Sequence, residues 1–281
     1  MIKNTNRNDD YDNQPQKEMS FFDHLEELRW HLFRSALVLL IFTVGAFLIK
    51  KFLFDVVILS PRGPDFLTNR LLCQLGDYLN KSILCINQNE LHIININVAG
   101  QFLTHMRISL IAGAIAAFPY IITELWIFIK PALYHNERKV AFHTVLFVSL
   151  LFFVGVVTGY YLVVPLSLNF LANYSISSDV YNTISLNSYI SYISSICFAS
   201  GLLFELPVLS YFLTRFGLLT PQFMKSYRRH AYIVILIVSA IITPPDIFSQ
   251  VLIALPLFLL YEISINLSSS VMKKIKIPDN D

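Results

Sequence analysis

The chain has 281 residues, of which 55% are hydrophobic and only 14% are charged, and its formal net charge at pH 7 is +2. A soluble domain carries roughly 25% charged residues, so the composition excludes an ordinary soluble protein and gives no reason to expect a nucleic-acid partner.

The hydrophobic residues cluster in six blocks, which predicts an all-α polytopic membrane protein. A soluble helical bundle is excluded because helices that are apolar on all sides would have no solvated face. We place one membrane domain at 20–267, with a short basic tail at 268–281. The six predicted spans cover about residues 32–49, 108–129, 140–164, 189–213, 231–243 and 247–267.

The N-terminal segment changes character at residue 20. Residues 1–19 are polar and lack the apolar core of a signal peptide, so we expect a disordered tail. The stretch SFFDHLEELRWHLF (20–33) has apolar residues at helical spacing, which predicts an interfacial helix over 20–31. Glu27 and His31 stand four residues apart and share one face of that helix. On charge pattern alone, solvated charges are the simpler explanation of this face.

The loop at 50–107 is the longest polar stretch between predicted spans, and it contains Cys73 and Cys85. An oxidising compartment would permit a disulfide between them, whereas two unpaired cysteines would act as small hydrophobic residues. Both explanations stay open. Residues 90–102 alternate briefly between apolar and polar, which fits either a short strand or an interfacial segment.

Prolines interrupt the spans. Pro119, Pro207 and Pro256 fall inside the second, fourth and sixth blocks, where each removes a backbone donor and predicts a kink. Bent helices of this kind would together form a concave wall. The fifth block ends at Pro244 and Pro245 after about 20 Å of helix, which is short of the hydrocarbon thickness. Either the bilayer thins there or flanking side chains snorkel, and a re-entrant or tilted helix is the simpler alternative.

One carboxylate lies deep within the fourth block, in CFASGLLFELPVL (197–209). An ionisable group in the membrane costs about 2.5–3.5 kcal/mol on insertion scales, so we expect Glu205 to have a function. It would be a polar anchor for a partner helix or for water. The alternative is a structural hydrogen bond within the kink at Pro207.

The distribution of lysine and arginine predicts the orientation. With the N-terminus inside, 15 of these residues fall on the inner side and six on the outer side, so both termini are expected in the cytoplasm. Glu27 and Glu137 would then both face the cytoplasm, near aromatic residues such as Phe128. Two carboxylates beside aromatic rings suit a guanidinium-bearing peptide.

Four stretches resemble the characteristic blocks of the TatC family, the receptor subunit of the twin-arginine, or Sec-independent, protein translocase. They are HLEELRWHL (24–32), ELWIFIKPALYHNERK (124–139), GLLFELPVL (201–209) and TPPDIFSQVLIALPLFLLYE (243–262). The resemblance implies export of folded proteins across the cell inner membrane, driven by the proton-motive force. It also implies binding of Arg-Arg signal peptides, and oligomeric complexes with single-span TatA- or TatB-type partners and membrane lipid.

The resemblance also assigns roles to positions of this chain. Those that match signal-peptide-binding residues are Glu27, Arg29, Phe128 and Glu137. Glu205 matches the in-membrane acid, and Thr243 and Gln250 match positions where a partner helix docks. Asp246, the acid of the turn after Pro244 and Pro245, is expected to cap the sixth span.

The chain departs from the family pattern in its first outer loop, which is longer than usual, and at Trp30, which replaces a polar residue. Two further positions also differ. His31 stands where a cationic residue is common, and Glu124 stands where many members have glutamine.

The sequence also bears on two other classes of function. An ion-coupled secondary transporter of a small solute could use Glu205 as its coupling site, although the sequence shows no clear internal repeat. An intramembrane enzyme is not expected, because the chain contains no HExxH, GxSxG or P-loop motif. We therefore expect no catalytic residues, metal or cofactor.

Overall fold

The computed structural model describes residues 21–79, 85–86, 91–129, 141–177, 179, 182–243 and 247–276. The predicted tail at 1–19, Glu137, the turn of Pro244, Pro245 and Asp246, and residues 277–281 lie outside the described residues.

The described chain is mostly helical. Its longer helices are α1 (Phe21–Leu48), α3 (Gly100–Ile129), α4 (Ala141–Thr158), α6 (Leu186–Leu203), α9 (Arg228–Ile242) and α10 (Ile247–Lys276). Its shorter helices are α2 (Leu67–Tyr78), α5 (Val164–Asn173), α7 (Leu206–Arg215) and α8 (Pro221–Ser226). The strands β1 (Ile93–Ile94) and β2 (Ile184–Ser185) are two residues each and pair in parallel.

Five helical segments of the described chain are long and apolar enough to cross a membrane: Glu26–Leu48, Gly100–Phe128, Thr144–Asn173, Leu186–Arg215 and Ser249–Lys273. The remaining predicted span corresponds to α9, whose 15 residues extend only about 22 Å. The predicted interfacial helix at 20–31 and the first span form one helix, α1, without a break.

Glycines allow the spans to approach closely. A Cβ on Gly113 of α3 would lie only 2.7 Å from the backbone nitrogen of Thr43 in α1. A Cβ on Gly155 of α4 would lie 2.6 Å from the carbonyl oxygen of Ser200 in α6. These crossings are therefore built on residues without side chains, as is common where membrane helices pack.

The prolines act in two ways. Pro119 and Pro256 lie inside the continuous helices α3 and α10. Pro207 instead lies in the first turn of α7, after a break at Phe204 and Glu205 that separates α6 from α7. Since a helix start has no partner for its first N–H groups, proline is well tolerated there. The interruption expected at Pro207 thus takes the form of a two-residue turn between α6 and α7, within the single span Leu186–Arg215.

The loop after α1 forms a folded cap at one end of the bundle, which we call the cap end. It contains a π-helical segment (Phe52–Ile58), a short 3₁₀ segment (Ser60–Arg62) and α2. A disulfide joins Cys73 to Cys85. The Tyr189 hydroxyl donates to the Ile58 carbonyl over 2.9 Å, which fastens the loop to the first turn of α6. The β1–β2 pairing joins this loop to the segment before α6.

The main core surrounds α6. Its buried side chains include Ile190, Ile193 and Ile196 of α6, which cluster with Ile253 and Leu257 of α10. This core holds the break between α6 and α7, and with it Glu205, at a fixed place in the bundle.

Candidate functional site

A buried polar cluster joins α1 to α3 at the end of the bundle opposite the cap. Nδ1 of His31 lies 2.5 Å from Oε2 of Glu124, and the two residues are only 8% and 5% exposed. The Tyr120 hydroxyl donates to the other carboxylate oxygen of Glu124 over 2.6 Å. Tyr120 and Glu124 are four residues apart on α3, so helical geometry alone places them on one face. Both oxygens of this carboxylate are therefore held by neighbours.

Glu27 lies one turn before His31 on α1. Its Oε1 is 4.0 Å from Nε2 of His31, and its side chain is 34% exposed. Its other oxygen, Oε2, is buried and accepts no hydrogen bond from any described residue. The Phe128 ring lies edge-on to His31, with ring centroids 6.1 Å apart. His31 thus brings together two residues that the sequence nominated separately, Glu27 and Phe128.

Two of the departures from the family pattern, His31 and Glu124, are partners of each other. His31 and Glu124, which are 93 positions apart, form the shortest contact of the cluster. A carboxylate that holds a histidine gives α1 and α3 a charge-assisted link, which is stronger than a neutral hydrogen bond. The link fixes the imidazole against which Glu27 packs.

The remaining predicted signal-peptide residues fall elsewhere. Arg29 lies on the exposed surface of α1, and Glu137 lies outside the described residues. Sequence reasoning did not assign a role to Tyr120 or Glu124. Their four-residue spacing inside an apolar block could have indicated a hydrogen-bonded pair, because polar residues within a membrane span are costly unless they are paired.

A second polar site lies at the break between α6 and α7. Glu205 lines an otherwise apolar pocket of about 340 Å³, together with Trp126 of α3, Val148 of α4 and Phe212 of α7. Its carboxyl group lies beside the backbone of Phe152 but makes no hydrogen bond of good geometry with any described residue. Trp126 Nε1 is also buried without a partner among the described residues.

Buried polar groups in native proteins are nearly always hydrogen-bonded. Three atoms around one pocket, both oxygens of Glu205 and Nε1 of Trp126, depart from that rule. The structural hydrogen bond considered for Glu205 is not found among the described residues. The pocket therefore contains two acceptor atoms and one donor atom that have no partner among the described residues.

Thr243 and Gln250 flank the turn between α9 and α10. The Thr243 hydroxyl donates to the Ser239 carbonyl over 2.9 Å, at the end of α9. Gln250 Nε2 donates to the Leu236 carbonyl over 3.0 Å and so ties α10 to α9. The Gln250 bond therefore holds the short helix against α10, whereas the Thr243 bond lies within the end of α9.

Comparison with known proteins places these observations in a family. The chain matches the family model described as Sec-independent protein translocase protein (TatC) over residues 23–256. It is 39% identical over 259 residues to the Sec-independent protein translocase protein TatC of Blattabacterium sp. subsp. Periplaneta americana (strain BPLAN), covering 92% of this chain and 97% of that relative. It is 31% identical over 257 residues to TatCy of Bacillus subtilis (strain 168), with 92% and 91% covered.

The fold has a counterpart among solved structures. A crystal structure described as the twin arginine translocase receptor TatC superposes with a TM-score of 0.68 and is 32% identical in sequence. The match covers 89% of this chain and 99% of the solved one.

Proposed function

The chain belongs to the TatC family of Sec-independent protein translocase proteins, and we propose that it is the subunit that receives Arg-Arg signal peptides. Membership and the apolar helices make it a multi-pass inner-membrane component of twin-arginine protein transport. The proposal adds that it exports folded proteins, uses the proton-motive force and works within a complex with TatA- or TatB-type single-span partners.

The environment of Glu27 carries this proposal. One oxygen of its carboxylate has no hydrogen-bonding partner among the described residues, its side chain is partly exposed, and it packs against His31, whose ring lies beside that of Phe128. A guanidinium group pairs with a carboxylate through two parallel hydrogen bonds and stacks on flat rings. Because Glu124 is already held by His31 and Tyr120, Glu27 is the acid of this cluster that remains available. Glu137 is the expected second acid.

The proposed topology follows from the charge distribution. We place residues 20–267 in one domain of six spans with both termini in the cytoplasm, so that the Glu27 site faces the cytoplasm and the cap faces outward. Here α9 is the fifth span, and its length of about 22 Å supports local thinning of the bilayer. Insertion of four apolar residues into α9 should then reduce export, and full export by the lengthened protein would argue against thinning.

Glu205, Thr243 and Gln250 are the proposed contacts for a partner helix. The oxygens of Glu205 and Nε1 of Trp126, which have no partner among the described residues, would receive a polar side chain carried by an otherwise apolar helix. Such a match gives specificity within lipid, where apolar surfaces alone discriminate poorly.

The receptor role is tested by peptide binding to the full chain in detergent. We expect an Arg-Arg peptide to bind, and a Lys-Lys peptide to bind more weakly because lysine lacks the bidentate fork. Glu27→Gln should weaken Arg-Arg binding roughly ten-fold or more, since a hydrogen bond to a charged group contributes about 1.5–3 kcal/mol. Glu26→Gln is the matched control, because Glu26 is the exposed neighbouring acid on α1. Equal binding of both peptides, or equal losses in both variants, would remove the receptor claim.

A further inference from the structure

Helix α2 in the cap has three distinct faces: one packed on the protein, one exposed and apolar, and one exposed and polar. Asn69 and Gly76 are buried and face the protein. Four large apolar residues instead lie exposed within an arc of about 80°, at 100° per residue. These residues are Leu67, Leu71, Leu75 and Tyr78, and their exposed fractions rise from 45% at Leu67 to 85% at Tyr78.

The exposed polar residues of α2 occupy the other flank. Arg70, Gln74 and Asp77 fall within an arc of about 60° that does not overlap the apolar one. A helix wholly in water would have no reason to separate its exposed residues in this way. Separation into an apolar flank and a charged flank is typical of helices that lie in the plane of a membrane interface.

The protein face is firmly attached. Asn69 Nδ2 donates to the Gly63 carbonyl over 2.8 Å, and the Thr68 hydroxyl donates to the Tyr161 carbonyl over 2.5 Å. The ring of Phe66, at the start of α2, stacks on Tyr161. The disulfide at Cys73 holds the second half of the helix. The apolar flank is therefore presented in a fixed direction.

The attachment point also fixes the depth of α2. The span that contains Tyr161 begins at about residue 144, and a hydrocarbon core of roughly 30 Å is crossed by about 20 residues of helix. Tyr161 therefore lies near the far boundary of the hydrocarbon. Tyr161 and its neighbour Leu162 are themselves exposed on this candidate span. The apolar flank of α2 is thus level with the lipid-facing surface of the bundle at that boundary.

We propose that α2 is an interfacial helix of the outer leaflet, whose flank of Leu67, Leu71, Leu75 and Tyr78 is immersed among lipid chains. Its charged flank faces the headgroups and water. A protein partner is the less suitable occupant, because the charged flank and the boundary depth together match a lipid interface. The cap is accordingly a second membrane-binding surface, in addition to the spans.

Photocrosslinking in proteoliposomes of phosphatidylethanolamine and phosphatidylglycerol tests whether the apolar flank of α2 contacts lipid. Benzoylphenylalanine is placed in the full chain at Leu71, at Leu75 or, as the matched control, at Gln74. All three positions are exposed, so the probe displaces no core side chain. We expect lipid adducts at 71 and 75 in several-fold excess over 74.

Equal lipid adducts at all three positions, or none at 71 and 75, would overturn the proposal. Protein adducts at 71 and 75, whether in proteoliposomes or in native membranes, would overturn it in favour of a partner or a second copy. None of these results bears on peptide binding at Glu27, so the two proposals fail independently.

Discussion

The His31–Glu124 pair should behave as one energetic unit. His31→Phe retains a ring beside Phe128 but leaves the Glu124 carboxylate with Tyr120 as its only hydrogen-bonding partner in the cluster. Glu124→Met conversely leaves His31 without its closest partner. Because both residues are buried and a hydrogen bond to a charged group contributes about 1.5–3 kcal/mol, each single variant should lose that much unfolding free energy.

The double variant should lose less than the sum of the two single variants. Replacing both partners with apolar groups leaves no unpaired charge, so the cycle should give a coupling free energy of about 1–2 kcal/mol. Reversible unfolding in mixed micelles, followed by helical circular dichroism, measures all four proteins. Thr123→Val is the control, because the one partner of its hydroxyl among the described residues is the Pro119 carbonyl of its own helix.

Additivity within about 0.5 kcal/mol for His31 and Glu124 would refute this reasoning. It would mean that the 2.5 Å contact is not maintained in the folded protein in solution. Thr123→Val combined with His31→Phe should be additive, so a coupling there would point to a general change in α3 instead.

Three further outcomes follow from the packing. Gly113→Ala should lower the unfolding free energy by about 1–3 kcal/mol, because the added methyl group would clash with the α1 backbone. Gly45→Ala has open space around its Cβ and should raise the unfolding free energy by up to about 1 kcal/mol. Thermal unfolding of the two variants in detergent compares these effects. Replacing Cys73 and Cys85 with serine should cost about 3 kcal/mol for closure of a 12-residue loop, measured as faster proteolysis of the cap. Glu205→Leu should raise the unfolding free energy by about 1–3 kcal/mol, since it removes a buried carboxyl group that has no partner among the described residues. The same variant should reduce both export and cross-linking to a single-span partner.

Each of these outcomes has a result that counts against it. Equal stabilities of the two glycine variants would deny the close α1–α3 crossing. An unchanged rate of cap proteolysis without the disulfide would mean that hydrogen bonds alone hold α2. A Glu205→Leu protein that loses stability would show that the carboxyl is satisfied in the folded chain, and normal export and cross-linking would remove its proposed role.

Hydropathy predicted the spans because lipid imposes one requirement on every membrane helix, namely that its surface be apolar over a fixed length. Five of the six blocks correspond to segments of sufficient length, and the shortness of the block at 231–243 is reproduced by α9. Helix α2 was not predicted, because the turn-rich loop in which it lies does not face lipid on all sides and has no long apolar run.

The partners within the candidate site could not be predicted from a single sequence. The pairing of His31 with Glu124 depends on how α1 crosses α3, and nothing local to either helix specifies that crossing. The form of the interruption at Pro207 could not be predicted for a similar reason. A proline predicts that a helix cannot continue unperturbed, but whether the chain bends or begins a new helix depends on the core around Glu205 and Phe204.

The π-helical turn Gly159–Val163 lies between α4 and α5. It affects where the protein can lose a single residue without losing its packing. Such a turn contains one residue more than the α-helix would use over the same rise. In-frame loss of the codon for Leu162, an exposed residue, can relax this turn to an α-helix and leave α5 in register with its neighbours. Loss of exposed Leu150, within regular α4, would rotate everything beyond it by about 100° and turn Val164 and Leu168 out of the core. The bulge is thus a place where a deletion can be absorbed, and membrane expression of the two deletion variants would distinguish it from the regular helix beside it.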